Sequence, residues 1–310
     1  MWNLPLWALK LTGRLFFSRS NLLLCDDNDI VIGGLVDRPP AEDWSDVLEE
    51  VARCLRTARM LGEAHDVFPS SFYRHRRGSF LAIPVGVSMG GGQTVCTHPA
   101  PPSNCLTDFL SAILRNNAMR RLAGFQSSAF AFLAPKMYRR YLADLGALFM
   151  HHNNLVWNFS NSIFPASSFN CGPESILLPH FDFNNWACGL CALTPVGNFD
   201  WRRGGHLVLH TLKIVMEFPP GTTAVIPSTA VKHSNVCIRP GEERMSVAQY
   251  AAGGLFRWVA YGFRTGKSLD STRSGRAQHV RLDKAEGVRW NDGCSLFSTS
   301  ASLASDYSTW

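Results

Sequence analysis

His180-Phe181-Asp182, His233 and Arg244-Met245-Ser246 are the residues of this chain whose types and spacing could do chemistry. Side chains at i and i+2 of an extended backbone point the same way, so the imidazole and the carboxylate of the HxD can reach one ion. The HxD closes an apolar run over 175–178 that reads as a strand. His233 stands 53 residues after His180, beyond Gly204-Gly205, a strand pair, a Pro219-Pro220-Gly221 turn and a strand over 224–227. Two imidazoles and one carboxylate on one face of an octahedral ion leave three positions open, the pattern of non-haem iron centres. Eleven residues past His233, Arg244 begins a row with Ser246, Ala248 and Tyr250 that shares one strand face by the period of two. A guanidinium beside a hydroxyl can clamp a terminal carboxylate. The same residues also suit a barrel in which His and Asp make only structural hydrogen bonds, a module that binds without catalysing.

The elements that must position these groups fall into two textures. Residues 28–36 read as a short strand closed by Asp37-Arg38-Pro39-Pro40. A helix follows, with Asp43 as N-cap, an apolar row of Trp44, Val47, Leu48, Val51, Leu55 and Leu61, and Gly62 as its stop. Residues 79–88 read as extended and end in a Gly90-Gly91-Gly92 turn, and a second helix covers 106–118. A third starts at Pro135, with Tyr138, Tyr141, Leu142, Leu145, Leu148 and Phe149 on one face. From residue 163 short apolar runs alternate with turns, at 166–171, 175–179, 187–194, 206–218, 222–227 and 245–251. That rhythm predicts a sandwich or barrel. The fold class is therefore mainly β with flanking helices: a poorly defined start at 1–27, a helical basic flank at 41–155, a β core at 163–264, and a polar, Ser-rich, loosely ordered tail at 266–310.

Composition removes several classes. The 310 residues are 46% hydrophobic and 17% charged, which excludes a chain disordered throughout. No stretch approaches the roughly 18 apolar residues needed to span a bilayer, and the start lacks the basic-then-apolar form of a secretory signal. The nine cysteines, odd in number, point to a reducing, intracellular setting, and the lone Cys188/Cys191 pair has no second pair for zinc. Residues 53–140 hold twelve basic and three acidic side chains, a block that can attract a polyanion such as double-stranded DNA or simply be a set of solvated helix faces. Asn170 and Gln93 are candidates for the pocket wall, and each could equally satisfy backbone groups.

Residues 28–265 resemble the Fe(II)/2-oxoglutarate dioxygenases, in particular the TET/J-binding-protein-like branch in its fungal form. The resemblance is carried by Val85-Gly86-Val87-Ser88-Met89-Gly90-Gly91-Gly92-Gln93, by Ala123-Gly124-Phe125-Gln126-Ser127-Ser128-Ala129-Phe130 and by Gly204-Gly205-His206-Leu207-Val208-Leu209. It continues in Glu217-Phe218-Pro219-Pro220-Gly221 and Gly253-Gly254-Leu255-Phe256-Arg257-Trp258. It implies a double-stranded β-helix core (jelly-roll, cupin-like) behind an N-terminal helical region. It implies Fe(II) on His180, Asp182 and His233, 2-oxoglutarate held by Arg244 and Ser246, and O₂ as co-substrate. It implies oxidation of a methylated base in DNA, 5-methylcytosine or N6-methyladenine, with a nuclear location and no stable protein partner. The same core also serves oxygenases of small molecules and protein side chains. In the animal TET enzymes a base-reading Asn lies three residues past the HxD aspartate, where Asn185 stands here, and a Tyr on the strand after the RxS corresponds to Tyr250. Their base-reading His two residues later is Ala252 in this chain, and their cysteine-rich zinc region has no counterpart.

Overall fold

Burial on both faces explains why the core strands are so short and so apolar. The computed structural model describes residues 13–15, 21–90, 93, 95–97, 104–284 and 288–308. Its strands are β1 (Gly13–Leu15), β2 (Leu22–Cys25), β3 (Val31–Val36), β4 (Ala82–Gly86), β5 (Ala166–Asn170) and β6 (Cys191–Val196). They continue as β7 (Leu207–Leu209), β8 (Ile214–Met216), β9 (Thr223–Ile226), β10 (His233–Asn235) and β11 (Met245–Tyr250). One sheet runs β2-β3-β9-β6-β11-β5-β4 and the other β1-β8-β7-β10, with every pairing antiparallel except β1 with β8. Leu35, Leu193, Ala224 and Ile226 of the large sheet pack with Leu207, Leu209 and Met216 of the small one. The two inner faces thus make one apolar core, the arrangement of a double-stranded β-helix.

Helices cover the outer face of the large sheet. They are α1 (Trp44–His65), α2 (Ser70–Tyr73), α3 (Asn104–Arg115), α4 (Asn117–Leu133) and α5 (Pro135–His151). α1, α3 and α4 pack on β4, β5 and β11 through Val51, Leu55, Met119, Ile83, Phe169 and Val247. α5 packs through Tyr141, Leu145 and Leu148 against Phe164, Ala192 and Val225. After β11 come α6 (Gly253–Ala260), α7 (Gly266–Leu269), α8 (Arg273–His279), α9 (Val288–Ser295) and α10 (Leu303–Ser308). No helix among the described residues is long and apolar enough to cross a membrane.

Several expectations change. The predicted strand over 175–178 is irregular backbone, for a reason given below. α1 runs past Gly62 to a left-handed Asp66; a Cβ at Gly62 would collide with the Phe68 ring, so this glycine serves close packing and does not stop the helix. Asp43 makes no capping bond, because its carboxylate is held by Arg121 at 2.5 and 2.8 Å. The helix expected over 106–118 ends at Arg115, where Asn116 caps a further helix, α4, by accepting from the Met119 N–H at 3.0 Å. The buried face of α4 contains Gln126 and Ser127, and these polar residues hide its apolar period. The tail is not loose where it is described. The Val31 N–H donates to the Ser298 carbonyl at 2.8 Å, and Leu269 and Leu303 are buried. The expectations for 1–12, for 16–20 and for the Gly91-Gly92 part of the turn lie outside the described residues.

Candidate metal centre and carboxylate clamp

The segment before the HxD explains its own irregularity. Its backbone N–H groups go to separate places: Ser175 to the Arg244 carbonyl (3.0 Å), Leu177 to Asn235 Oδ1 (2.7 Å) and Leu178 to the Arg77 carbonyl (2.7 Å). A regular ladder would use one neighbour, so the chain is pinned here without being a strand. At its end His180 and His233 exchange both backbone hydrogen bonds, at 3.0 and 2.9 Å. Directly opposed residues of an antiparallel pair project to the same face. The two imidazole centroids accordingly lie 4.3 Å apart.

Each imidazole is turned by its own chain. His180 Nδ1 meets the Leu178 carbonyl at 2.7 Å, and His233 Nδ1 meets the Val231 carbonyl at 3.0 Å. A carbonyl only accepts, so each Nδ1 carries the hydrogen and each Nε2 keeps its lone pair. The two Nε2 atoms lie 3.6 and 3.8 Å from the carboxylate oxygens of Asp182. Burial, and then the neighbouring His233, push the His180 pKa down to about 4, so its ring is neutral at physiological pH. Asp182 is placed by its N–H, which donates to the Ser228 carbonyl at 3.0 Å. One ligand atom from each of His180, Asp182 and His233 lies within 4.8 Å of the others. Two imidazoles presenting Nε2 beside a carboxylate are the donor set of a divalent first-row metal such as Fe(II).

Ser246 lies on the inner row of β11, and Arg244 stands one residue before that strand, two before Ser246 and so on the same side. Arg244 is 1% exposed. Its Nη1 donates to the Ser175 carbonyl at 3.2 Å, while Nε and Nη2 have no partner. Burial lowers its pKa to about 10, which leaves it charged at neutral pH. A buried guanidinium with idle donors is costly unless an anion meets it. The neighbouring Gly205 (φ +70°) makes this position possible, since a Cβ there would meet the Phe199 ring at 2.6 Å and Arg244 Cδ at 3.3 Å. Ser246 faces Asn170 across the β5–β11 pairing, and Asn170 Nδ2 donates to Ser246 Oγ at 2.9 Å. That leaves the Ser246 O–H free to donate. The orphaned donors of Arg244, beside this hydroxyl and in one barrel with the three metal-ligand side chains, fit a dicarboxylate such as 2-oxoglutarate.

The other candidates separate. Tyr250 is on the same inner row, half-buried, and burial raises its phenol pKa, with Arg77 and Asp182 close enough to act on it electrostatically. Asn185 spends its Nδ2 on Ser228 Oγ (3.0 Å) and its backbone pairs with Ala252, so its amide holds the loop after the HxD. Gln93 closes its own loop: it accepts from the Gly90 N–H (2.9 Å) and donates to Thr97 Oγ1 (3.1 Å). The basic block is not one free patch. Arg53 pairs with Glu50, Arg56 and Arg59 with Glu243, Arg121 with Asp43, Lys136 with Asp306 and Arg140 with Asp144. Sequence reasoning missed Ser175, Ser228, Arg76 and Arg77. The arginines were visible only as two of twelve charges.

No family model matches the sequence, and no curated protein is similar to it. Solved structures are. The structure titled NgTET1 in complex with 5mC DNA superposes with a TM-score of 0.52 at 16% identity, over 78% of this chain and 83% of that one. A 2OG-Fe(II) oxygenase family oxidoreductase from Burkholderia pseudomallei covers 77% of this chain and 95% of its own at 16% identity, with a TM-score of 0.34. The superposition on NgTET1, with the two packed antiparallel sheets, shows a double-stranded β-helix fold. Within that class its fold is TET-like.

Proposed function

We propose that the protein is an Fe(II)- and 2-oxoglutarate-dependent dioxygenase that oxidises a methylated base, 5-methylcytosine or N6-methyladenine, in DNA. The observation that carries the chemistry is the buried Arg244 guanidinium with two nitrogens unpartnered. A protein that leaves such a group idle is built for an anion. His180, Asp182 and His233 would hold the iron, and Arg244 with the Ser246 hydroxyl would hold the far carboxylate of 2-oxoglutarate. Held there, Fe(II) and 2-oxoglutarate would supply activation of O₂, one oxygen atom going into the substrate C–H bond and the other into succinate as CO₂ leaves. The chain's own work is geometric. Leu178 and Val231 fix the imidazole tautomers, Ser228 fixes Asp182, and the apolar cluster around Leu193, Leu209 and Ile226 packs against Ala248 and Tyr250. That apolar wall excludes water from the inner end of the site. The DNA substrate is supported by the TET-like fold, by the half-buried Tyr250 on the inner row, and by the DNA seen with NgTET1. A base in a duplex must be flipped out to reach a recessed metal. The catalytic unit on this reading is 28–265, and a DNA substrate would place the protein in the nucleus.

The test gives anaerobically reconstituted protein Fe(II), 2-oxoglutarate, O₂ and a methylated duplex, and measures succinate and nucleosides in one tube by mass spectrometry. Asp182→Ala is the control, expected to lose both products and Fe(II) binding. An oxidised or demethylated base absent from the control supports the full reading. Succinate without a changed nucleoside keeps the iron chemistry and moves the substrate to a small molecule or protein side chain. Neither product from metal-loaded protein leaves a non-catalytic binding module.

A further inference from the structure

The metal chemistry makes no use of one exposed group beside it. Phe183 follows Asp182 directly and is 69% exposed. Its ring lies 5.8 Å from that of Phe181, and the Arg76 guanidinium sits over it at 5.2 Å. Arg76 reaches this point from a different part of the chain. His75 and Gly78 exchange both backbone hydrogen bonds, at 3.2 and 3.0 Å, which puts Arg76 and Arg77 at the tip of a two-residue turn. Gly78 (φ +155°) lets the turn lie against the segment before the HxD: a Cβ there would meet the Ile176 carbonyl at 2.5 Å. Arg76 Nη1 donates to the Phe181 carbonyl at 2.6 Å, and Nη2 lies 3.8 Å from Asp182 Oδ1. The guanidinium is thus fixed at one end, half-exposed at the other, and adjacent to an exposed ring at the open edge of the metal group.

We propose that Arg76 and Phe183 form a docking lip for a nucleic-acid strand, in which Phe183 stacks on the base next to the target and Arg76 contacts the phosphate beside it. The inference rests on the DNA reading above and names how the strand is held. Taking a base out of a stack leaves its neighbour with a bare face. An aromatic ring replaces the lost stacking and accepts any base, because every base has a π-face. A guanidinium matches a phosphate in shape and charge. Ring and charge side by side follow the alternation of base and phosphate along a strand. A small substrate enclosed by the barrel would meet neither.

The experiment measures product formation against methylated-DNA concentration and salt for the wild type, Phe183→Ala, Phe183→Trp and Arg76→Gln. Phe183→Ala raises KM for DNA by about tenfold or more, with a smaller change in kcat, and Phe183→Trp restores it. Arg76→Gln raises KM and flattens the dependence of log affinity on log salt by about one charge. If the wild type makes oxidised base while KM and salt slope are unchanged in both Phe183→Ala and Arg76→Gln, the lip is overturned and the DNA reading stands. A KM rise that Phe183→Trp fails to restore overturns the stacking role. A wild type that makes succinate but changes no base overturns both the DNA reading and the lip.

Discussion

The two faces of β11 bury polar groups in opposite ways. Toward α4, Gln249 Nε2 donates to Gln126 Oε1 (2.8 Å) and to the Ala123 carbonyl (3.0 Å), and Gln249 Oε1 accepts from Ser162 Oγ (2.8 Å). Gln126 Nε2 donates to Thr194 Oγ1 (2.9 Å) and to the Val247 carbonyl (2.8 Å), and Thr194 in turn meets Thr223 at 2.7 Å. Every amide hydrogen of the two glutamines is used. Toward the inside, Arg244 is as deeply buried but uses only Nη1. A closed network rigidifies a core and asks for nothing more. An open one marks where a ligand completes the structure. The contrast separates architecture from site within one strand.

Arg244→Met tests the open face most severely. It raises the 2-oxoglutarate requirement about 10–100-fold, from roughly 1.4–3 kcal/mol of lost charge-assisted bonding. The same change leaves the ligand-free Tm unchanged or higher, because an apolar chain of similar length replaces a poorly paired buried charge. Thermal scans with and without 2-oxoglutarate check both statements. A ligand-free Tm several degrees lower would make the guanidinium a structural strut and break the contrast. Gln126→Leu is the opposite case. It strands a Gln249 N–H and takes a donor from Thr194, and it lowers stability by about 1–3 kcal/mol. Its 2-oxoglutarate requirement stays at the wild-type value, and a shifted requirement would show that the closed network reaches the site.

The parts of this molecule that could be read from sequence are those set by residue type and order. His180, Asp182, His233, Arg244 and Ser246 are rare types in a fixed succession, and strand alternation alone puts Arg244 and Ser246 on one face. What escaped was set by partners far away in the chain. The segment at 175–180 looks like a strand because it is apolar, yet its hydrogen bonds go to Arg77, His233, Asn235 and Arg244. α4 was hidden because its buried face includes Gln126, whose partners lie on β6 and β11. The basic block looked free because Glu243, which neutralises Arg56, is 187 residues distant. Local pattern reveals which groups exist; only the fold reveals which of them are already satisfied.

A matched pair of small substitutions sharpens the contrast further. Ser162 and Ser168 are both buried, one on each face of the large sheet. Ser162 Oγ donates to Gln249 Oε1 at 2.8 Å and accepts from the Phe164 N–H at 3.3 Å. Ser168 Oγ has only long contacts, 3.4 Å from Arg77 Nη2 and 3.5 Å to Asn170 Oδ1. Hydrogen bonds weaken steeply at such lengths. Ser162→Ala therefore costs about 1–2 kcal/mol, since Gln249 Oε1 loses its donor in a dry setting. Ser168→Ala costs less than about 0.5 kcal/mol, since little is left unpaired. Urea unfolding with an unchanged m-value is the measurement. Equal losses would mean that the inner row is held as tightly as the outer one, and the idle donors of Arg244 would then stand as an isolated defect instead of one end of a face kept open for a ligand.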